Sequence, residues 1–253
     1  MLSHDPNVPA TPIAVQARDL RTYKHFDLLL AIFLVVLLIS NLVGQKLCLI
    51  GPFDLSGLRV GPFVLSGAQI LFPITYIFGD VFTEVYGYAA SRRAIWLGFL
   101  ANGLLAVMGV ITVWLPPAPG WPNQAAFATV FYTIPRLVIA SLIAYWCGEF
   151  VNSYVMAKMK LWTGGSKLWS RAVGSTVAGQ LVDTSLIVVI GFGGTAPVDT
   201  LVRAAVSAYC FKVIYEFVAI PLTYMVVGFL KRSEGLDAFD YKSNFNPFHL
   251  GTH

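Results

Sequence analysis

The sequence predicts an all-α membrane protein of six transmembrane helices, with both termini in the cytoplasm and a short outer hairpin between helices 1 and 2. Three observations predict it. Of 253 residues, 57% are hydrophobic and only 12% charged, against roughly half and about a quarter in soluble domains. Six apolar segments reach membrane-spanning length. The basic residues crowd the connections on one side.

A helix rises about 1.5 Å per residue and the hydrocarbon core is roughly 30 Å thick, so each span needs about 20 apolar residues. The qualifying segments are approximately 26–48, 66–88, 91–115, 127–157, 171–194 and 201–230. The fourth and sixth are long enough to tilt or to project from the bilayer. Arg18, Arg21 and Lys24 precede the first span, Arg92 and Arg93 follow the second, Lys158, Lys160, Lys167 and Arg171 follow the fourth, and Lys231, Arg232 and Lys242 follow the sixth. The opposite connections carry only Lys46, Arg59 and Arg203, so the positive-inside rule sets the orientation. The expected organisation is a cytoplasmic extension over 1–25, a six-helix membrane domain over 26–230 and a cytoplasmic tail over 231–253. The polar N-terminus leads into the first span without a small-residue cleavage site, so that span is expected to be retained.

The outer connection KLCLIGPFDLSGLRVGPFVLSG repeats Gly-Pro-Phe at Gly51–Phe53 and Gly61–Phe63 around a polar turn. Gly and Pro punctuating two apolar runs of similar length predict an extended hairpin. The later loop PPAPGWPNQAAF, with Trp121 at the interface, reads as an ordered outer cap.

Several function classes fall away. Cys48, Cys147 and Cys210 stand alone, with no CxxC or Cys/His spacing, and the four histidines (His4, His25, His249, His253) lie near the termini. No metal site, cofactor or catalytic residue is therefore expected, and the chain is read as no enzyme. No GxxxxGK[ST] motif is present, so the chain itself has no P-loop for ATP. A net charge of +4 in such a protein does not point to nucleic acid.

Polar groups inside the spans carry the chemistry. They are Asn41 and Gln45 in span 1; Gln69, Asp80, Thr83 and Glu84 in span 2; Asn102 in span 3; Arg136, Glu149 and Asn152 in span 4; Gln180 and Asp183 in span 5; and Lys212, Tyr215 and Glu216 in span 6. Asp80 with Glu84, Glu149 with Asn152, Gln180 with Asp183, Lys212 with Glu216 and Asn41 with Gln45 are three or four residues apart, hence on one helical face. Hydrocarbon offers such faces no hydrogen bonds, so they turn inward, and one central polar cavity satisfies them together. Depth counted along the helices puts Asn41, Gln45, Gln69 and Arg136 in the outer half, Asn102, Asp183 and Lys212 near the middle, and Asp80, Glu84, Glu149 and Asn152 in the inner half. Five acids face two cations in the spans, so one or more acids hold a proton in part of a cycle or meet a donor-rich ligand. Plainer readings stand beside these: Asn102 and Tyr215 as helix–helix hydrogen bonds, Lys212 and Glu216 as a local ion pair, and Glu84 as a group that only orders the inner end. Pro73, Pro135 and Pro221 are expected to free carbonyls inside spans. Gly174, Ser175, Ala178 and Gly179 form a small-residue face that suits close helix contact and suggests a homodimer.

The runs SNLVGQK (Ser40–Lys46), FPITYIFGDVFTEVYGYAASRRAIWLGF (Phe72–Phe99), GEFVNSYVMAKMK (Gly148–Lys160), GQLVDTSLIVVIGF (Gly179–Phe192) and KVIYEFVAIPLTYMVVGFLKR (Lys212–Arg232) together resemble the queuosine-precursor transporter family, also described as a six-helix vitamin-uptake type. The resemblance covers nearly the whole chain after residue 25. It implies import of a 7-deazaguanine, the cyano or aminomethyl precursor of the modified tRNA base, across the bacterial inner membrane. The family's polar positions fall on Asn41, Asp80, Glu84, Arg136, Glu149, Asn152, Gln180, Asp183, Lys212 and Glu216, to which the polar-face reading adds Gln69 and Asn102. The implied partners are the small-molecule substrate and the lipid bilayer.

The chemistry of the residues agrees. A guanine-like edge offers N1–H and a 2-amino group to one carboxylate, and an O6 acceptor to an Asn, Gln or Arg donor. One of Asp183, Glu149 or Asp80 is expected to hold the donor edge. Tyr76, Phe78, Tyr145 and Trp146 are candidates to sandwich the ring, or else lipid-facing and core packing. A secondary carrier, a membrane subunit served by an external ATP-hydrolysing module and an intramembrane enzyme are the competing classes, the last without a nucleophile–base pair to support it.

Overall fold

The computed structural model describes residues 23–44, 46–50, 53–55, 58–60, 63–131, 135–194, 197–241 and 243–249. Expectations placed on residues 1–22, on Gln45 and on Lys242, and on the side chains of Gln69, Arg136 and Arg203, lie outside the described residues.

α1 (Phe26–Val43) is apolar on all sides, and its burial pattern shows which side faces protein. Phe26, Leu30, Phe33, Leu37 and Ser40 are buried at helical spacing, while Leu28, Ile32, Val35 and Ile39 are exposed toward the bilayer. The buried stripe meets α2 (Phe72–Tyr86) through edge-on aromatic pairs, Phe26–Phe82 at 5.6 Å and Phe33–Phe82 at 5.5 Å between centroids. Edge-to-face rings at this separation add attraction beyond their buried area.

α2 is the axis of the molecule. Every residue from Tyr76 to Tyr88 is buried, because α1, α3, α5 and α7 all pack around it. That position explains how a helix with two carboxylates survives in an apolar chain: from Tyr76 onward it does not meet lipid, although Ile74 in its first turn is exposed. Its 15 residues span only about 22 Å, short of the roughly 30 Å hydrocarbon core. A 3₁₀ turn at Gly67–Ile70 leads into it.

A single residue separates α2 from α3 (Tyr88–Trp114). Gly87 makes the corner at φ 86°, ψ 171°, a region that only glycine enters without strain. Arg92 and Arg93, expected to mark the inner end between the second and third spans, lie inside the first turns of α3. α4 (Gln124–Phe131) and α5 (Pro135–Trp162) together cover the expected fourth span on either side of residues 132–134. α6 (Leu168–Leu186) continues into a π-helical turn, Ile187–Phe192, and α7 (Val198–Glu234) is the longest helix. Among the described residues, four segments are long and apolar enough to cross a membrane: Phe26–Val43, Tyr88–Trp114, Leu168–Phe192 and Ala208–Glu234. The chain is a helical, multi-pass membrane protein. Of the expected six spans, the second is too short by itself and the fourth carries Arg136, Glu149, Lys158 and Lys160 along α5.

Between α1 and α2, four strands pair antiparallel in two sets, β1 (Leu47–Ile50) with β4 (Phe63–Ser66) and β2 (Phe53–Leu55) with β3 (Leu58–Val60). The register joins Cys48 to Leu65 and Asp54 to Arg59. The Gly-Pro dipeptides of the expected hairpin lie outside the described residues.

Pro73 does not interrupt a helix: it stands in the first turn of α2, where an N–H has no helical partner anyway. Pro221 lies inside α7. The small-residue face of α6 is used within the chain. A Cβ on Gly179 would lie 2.8 Å from the Gly148 carbonyl, and one on Gly148 would lie 2.9 Å from the Asp183 Cβ. α5 and α6 cross in backbone contact there, so this face is closed to a second copy.

Candidate functional site

The α5–α6 crossing fixes the polar centre. With no side chain on Gly148 or Gly179, Glu149 of α5 and Gln180 and Asp183 of α6 are drawn to one level. They line a cavity of about 510 Å³ with Asn41, Asn102, Tyr76, Tyr145 and Lys212. That volume suits a small molecule. The cavity also reaches Gly44 at the end of α1, Ala68 before α2, Phe131 at the end of α4 and Phe192 beyond α6, so it extends toward the hairpin end of the bundle.

Most of the lining is already engaged. Lys212 Nζ donates to Asp183 Oδ2 at 2.8 Å, with both side chains largely buried. Lys212 therefore pairs with Asp183 across two helices rather than with Glu216 one turn away. Asn41 Nδ2 donates to Asn102 Oδ1 at 2.9 Å, the helix–helix bond expected of Asn102, although counting along the helices put the two at different depths. Two buried lining atoms, Tyr145 Oη and Gln180 Oε1, have no hydrogen-bond partner among the described residues. A buried polar atom left unbonded costs about 1–3 kcal/mol, so both are positions where a ligand or water restores a bond. Glu149 is the lining carboxylate with no ion pair among the described residues. Its Oε2 lies 3.4 Å from where a Cβ on Gly79 would stand, so Gly79 leaves it the room it occupies.

One layer deeper, Asp80 of α2 lies against Glu216 of α7, and Asn152 sits between α2 and α6, its Nδ2 facing Gly79 and its Cβ facing Gly179. These three are buried behind the cavity lining. Glu84 lies apart. Its Oε1 receives Arg171 Nη2 at 2.7 Å and Lys231 Nζ at 2.7 Å, with Lys160 Nζ at 3.5 Å. Lys160 also donates to the Glu84 carbonyl at 2.6 Å, to Asp237 Oδ1 at 2.5 Å and to the Ala238 carbonyl at 2.6 Å. Lys231 joins Asp237 at 2.8 Å. Burial pushes the Asp237 carboxyl up, but hydrogen bonds and charge from Lys160 and Lys231 more than offset this and hold it below the usual carboxylate range.

The structure thus sorts the expected site residues. Asn41, Asn102, Glu149, Gln180, Asp183 and Lys212 meet in one cavity. Asp80, Asn152 and Glu216 back it, and Glu84 belongs to an ion cluster at the other end. Tyr76 and Tyr145 line the cavity. Phe78 packs on Phe33 and Phe82, and Trp146 on Trp96, Phe150 and Phe248, so neither is placed to sandwich a ring in the cavity. Lys160, Arg171, Lys231 and Asp237 were missed as site residues because they read as loop charges. The available signal was spacing: Lys160 follows Glu149 by eleven residues, about three helical turns, and so shares its face.

Comparison with known proteins places these features in a family. The profile described as "Putative vitamin uptake transporter" matches residues 66–226. The chain is 29% identical over 169 residues to the "Probable queuosine precursor transporter" of Bacillus subtilis (strain 168), covering 66% of this chain and 73% of that relative. It is 22% identical over 199 residues to the "Queuosine precursor transporter" of Escherichia coli (strain K12), covering 78% and 83%. No solved structure matches the chain.

Proposed function

Because the chain belongs to the vitamin uptake transporter family, we propose that it imports a queuosine precursor, 7-cyano-7-deazaguanine or 7-aminomethyl-7-deazaguanine, across the bacterial inner membrane. In this reading six spans with both termini inside carry it, α2 and α5 serving as the second and fourth. It works as a secondary-type transporter with an intramembrane polar site. The observation that carries the proposal is the cavity's pairing pattern: Asp183 is neutralised by Lys212 at 2.8 Å, and Asp80 lies behind the lining. Of the three acids weighed for the donor edge, Glu149 is the one left to receive it.

A carboxylate accepting N1–H and the 2-amino group makes two charge-assisted bonds in the plane of the ring. Gln180 carries an amide donor for O6, and its Oε1 remains as an acceptor. Tyr76 and Tyr145 supply the aromatic walls. Gln69 and Arg136 are proposed to act on the outer approach, and Asp80, Asn152 and Glu216 to shape the inner wall.

Purified protein titrated with the two precursors, with guanine and with a deazapurine lacking the 2-amino group tests this reading. The two precursors are expected to bind, and the analogue without the amino group to lose most of its affinity. Equal affinity with and without that group contradicts it. The second reading, a substrate-binding subunit driven by a separate ATP-hydrolysing partner, rests on the absence of a P-loop in the chain. A homodimer belongs to either reading only through apolar faces other than the occupied small-residue face of α6.

A further inference from the structure

The end of the bundle opposite the cavity mouth is closed by the chain's own C-terminal segment. α7 stops at Gly235, in the left-handed conformation at φ 63°, and the Leu236 N–H turns back onto the Lys231 carbonyl at 3.3 Å. From there residues 236–241 and 243–249 run across the other helix ends. Asp237 bridges Lys160 and Lys231. The Ala238 N–H donates to the Val85 carbonyl at 3.3 Å. Asp240, buried, receives the Tyr88 N–H with both oxygens at 3.1 Å, serving the exposed donor at the start of α3. Arg92 donates to the Asn244 and Asn246 carbonyls at 2.7 and 3.1 Å, and Trp96 to the Pro247 carbonyl at 2.8 Å. The strap thus ties α2, α3 and α5 to α7, the helices that carry Asp80, Asn102, Glu149 and Lys212.

The character of these contacts separates the strap from the core. The helices hold one another by buried aromatic and aliphatic packing; the strap holds them by hydrogen bonds, ion pairs and the rings of Phe245 and Phe248, which rest on Tyr88 at 5.0 Å and on Trp146 at 5.5 Å between centroids, while Tyr241 is 72% exposed. Water can replace the polar bonds, so lifting the strap uncovers the Leu236 and Phe245 contacts but leaves the helix–helix packing beneath in place. Its described residues form no helix or strand that would have to unfold, and Gly235 gives it a hinge. Beneath it, Glu84 with Lys160, Arg171 and Lys231 joins α2, α5, α6 and α7 in one cluster, two carboxylates against three cations when Asp237 is in place. Lifting Asp237 leaves three cations on a single carboxylate, and their mutual repulsion then favours separation of the helix ends.

We propose that residues 236–241 and 243–249 form a latch that keeps the Glu84 end shut while the cavity is open at the hairpin end, and that releases when the molecule opens the other way. The proposal rests on the chain being a transporter and not on the identity of its solute, so the test uses no solute. In protein whose Cys48, Cys147 and Cys210 have been replaced, two single reporters are compared in nanodiscs with both faces free. Ser175→Cys is buried in α6 between the Glu84 cluster and the cavity, and Ser141→Cys lines the cavity. Each is measured in the full chain, in a chain ending at Leu236 and in Asp237→Asn, by the rate of labelling with a polar maleimide.

A latch predicts that the shortened chain labels Ser175→Cys about tenfold faster or more, as a minor open state becomes populated, while labelling of Ser141→Cys falls. Asp237→Asn moves both in the same directions by a smaller factor. Unchanged labelling at Ser175→Cys overturns the proposal. So does a rise at both reporters, which means loosening rather than a switch of the open end. If the shortened chain does not purify as a single species, Asp237→Asn carries the test with the same outcomes.

Discussion

Glu84→Gln keeps the shape of the side chain and removes one charge, and the structure sets what that costs. The Glu84 side chain is fully buried, as is that of Arg171, and Lys160 is 2% exposed. Removing one partner from a buried ion pair costs about 3–5 kcal/mol, because the remaining charge stays buried without compensation. Lys231, 22% exposed, can turn toward water and relieves part of this, which places the expectation near the lower bound. At about 2–4 °C per kcal/mol for a chain of this size, the melting midpoint falls by roughly 6–12 °C. The assay is the fraction surviving as a monodisperse peak after heating in detergent, since unfolding of such proteins is rarely reversible. Arg171→Met, alone and combined with Glu84→Gln, completes a cycle in which the double variant loses less than the sum of the singles by about 1 kcal/mol or more. A shift below about 2 °C for Glu84→Gln, or strict additivity in the cycle, refutes the view that this carboxylate holds the closed end together.

Further expectations follow from the same geometry. Glu149→Gln should weaken precursor binding about 10- to 100-fold, the worth of a charged hydrogen-bond pair of about 1.5–3 kcal/mol, while the melting midpoint stays near the parent value; titration of purified protein checks it. Gly148→Ala and Gly179→Ala each drive a Cβ into backbone or a neighbouring Cβ at 2.8–2.9 Å, and should each cost about 1–3 kcal/mol. Gly103→Ala, in α3 with nothing within 4 Å of the new Cβ, should instead be neutral or gain up to about 1 kcal/mol from helix propensity; the three melting midpoints settle the contrast. Asp237, whose carboxyl is held below its usual value, contributes stability that is present above about pH 4 and is lost as the pH falls further through its folded value. The difference in melting midpoint between the parent and Asp237→Asn should therefore shrink as pH is lowered from 6 toward about 3.

What the sequence made legible follows what determines each feature. Lipid exposure acts locally on composition, so α1, α3, the Leu168–Phe192 segment and α7 stand out as apolar runs. The inward turning of Asn41, Asn102, Glu149, Gln180, Asp183 and Lys212 was equally legible, since hydrocarbon leaves polar groups no alternative. α2 was harder, because a helix buried on all sides is excused both from full membrane length and from uniform hydrophobicity. Its one-residue junction with α3 rests on the conformation of Gly87, which no apolar count reveals. Pairing was the least legible property. Lys212 meets Asp183 rather than Glu216 because α6 and α7 are neighbours in space, and the charges that satisfy Glu84 come from helix ends whose lysines and arginine look like loop residues. The tail was illegible for the same reason: residues 236–241 and 243–249 show no periodic pattern, and they meet Lys160, Lys231, Tyr88, Arg92 and Trp96, side chains distant in sequence for the most part.

The most direct measurement of the central claim is uptake of radiolabelled 7-cyano-7-deazaguanine by proteoliposomes that contain only this chain, with no nucleotide and no partner protein. The account predicts saturable accumulation or equilibration above empty liposomes, competed by the aminomethyl precursor and reduced about tenfold or more by Glu149→Gln. Uptake no faster than in empty liposomes, in protein that binds the precursor in the same preparation, contradicts a self-sufficient transporter.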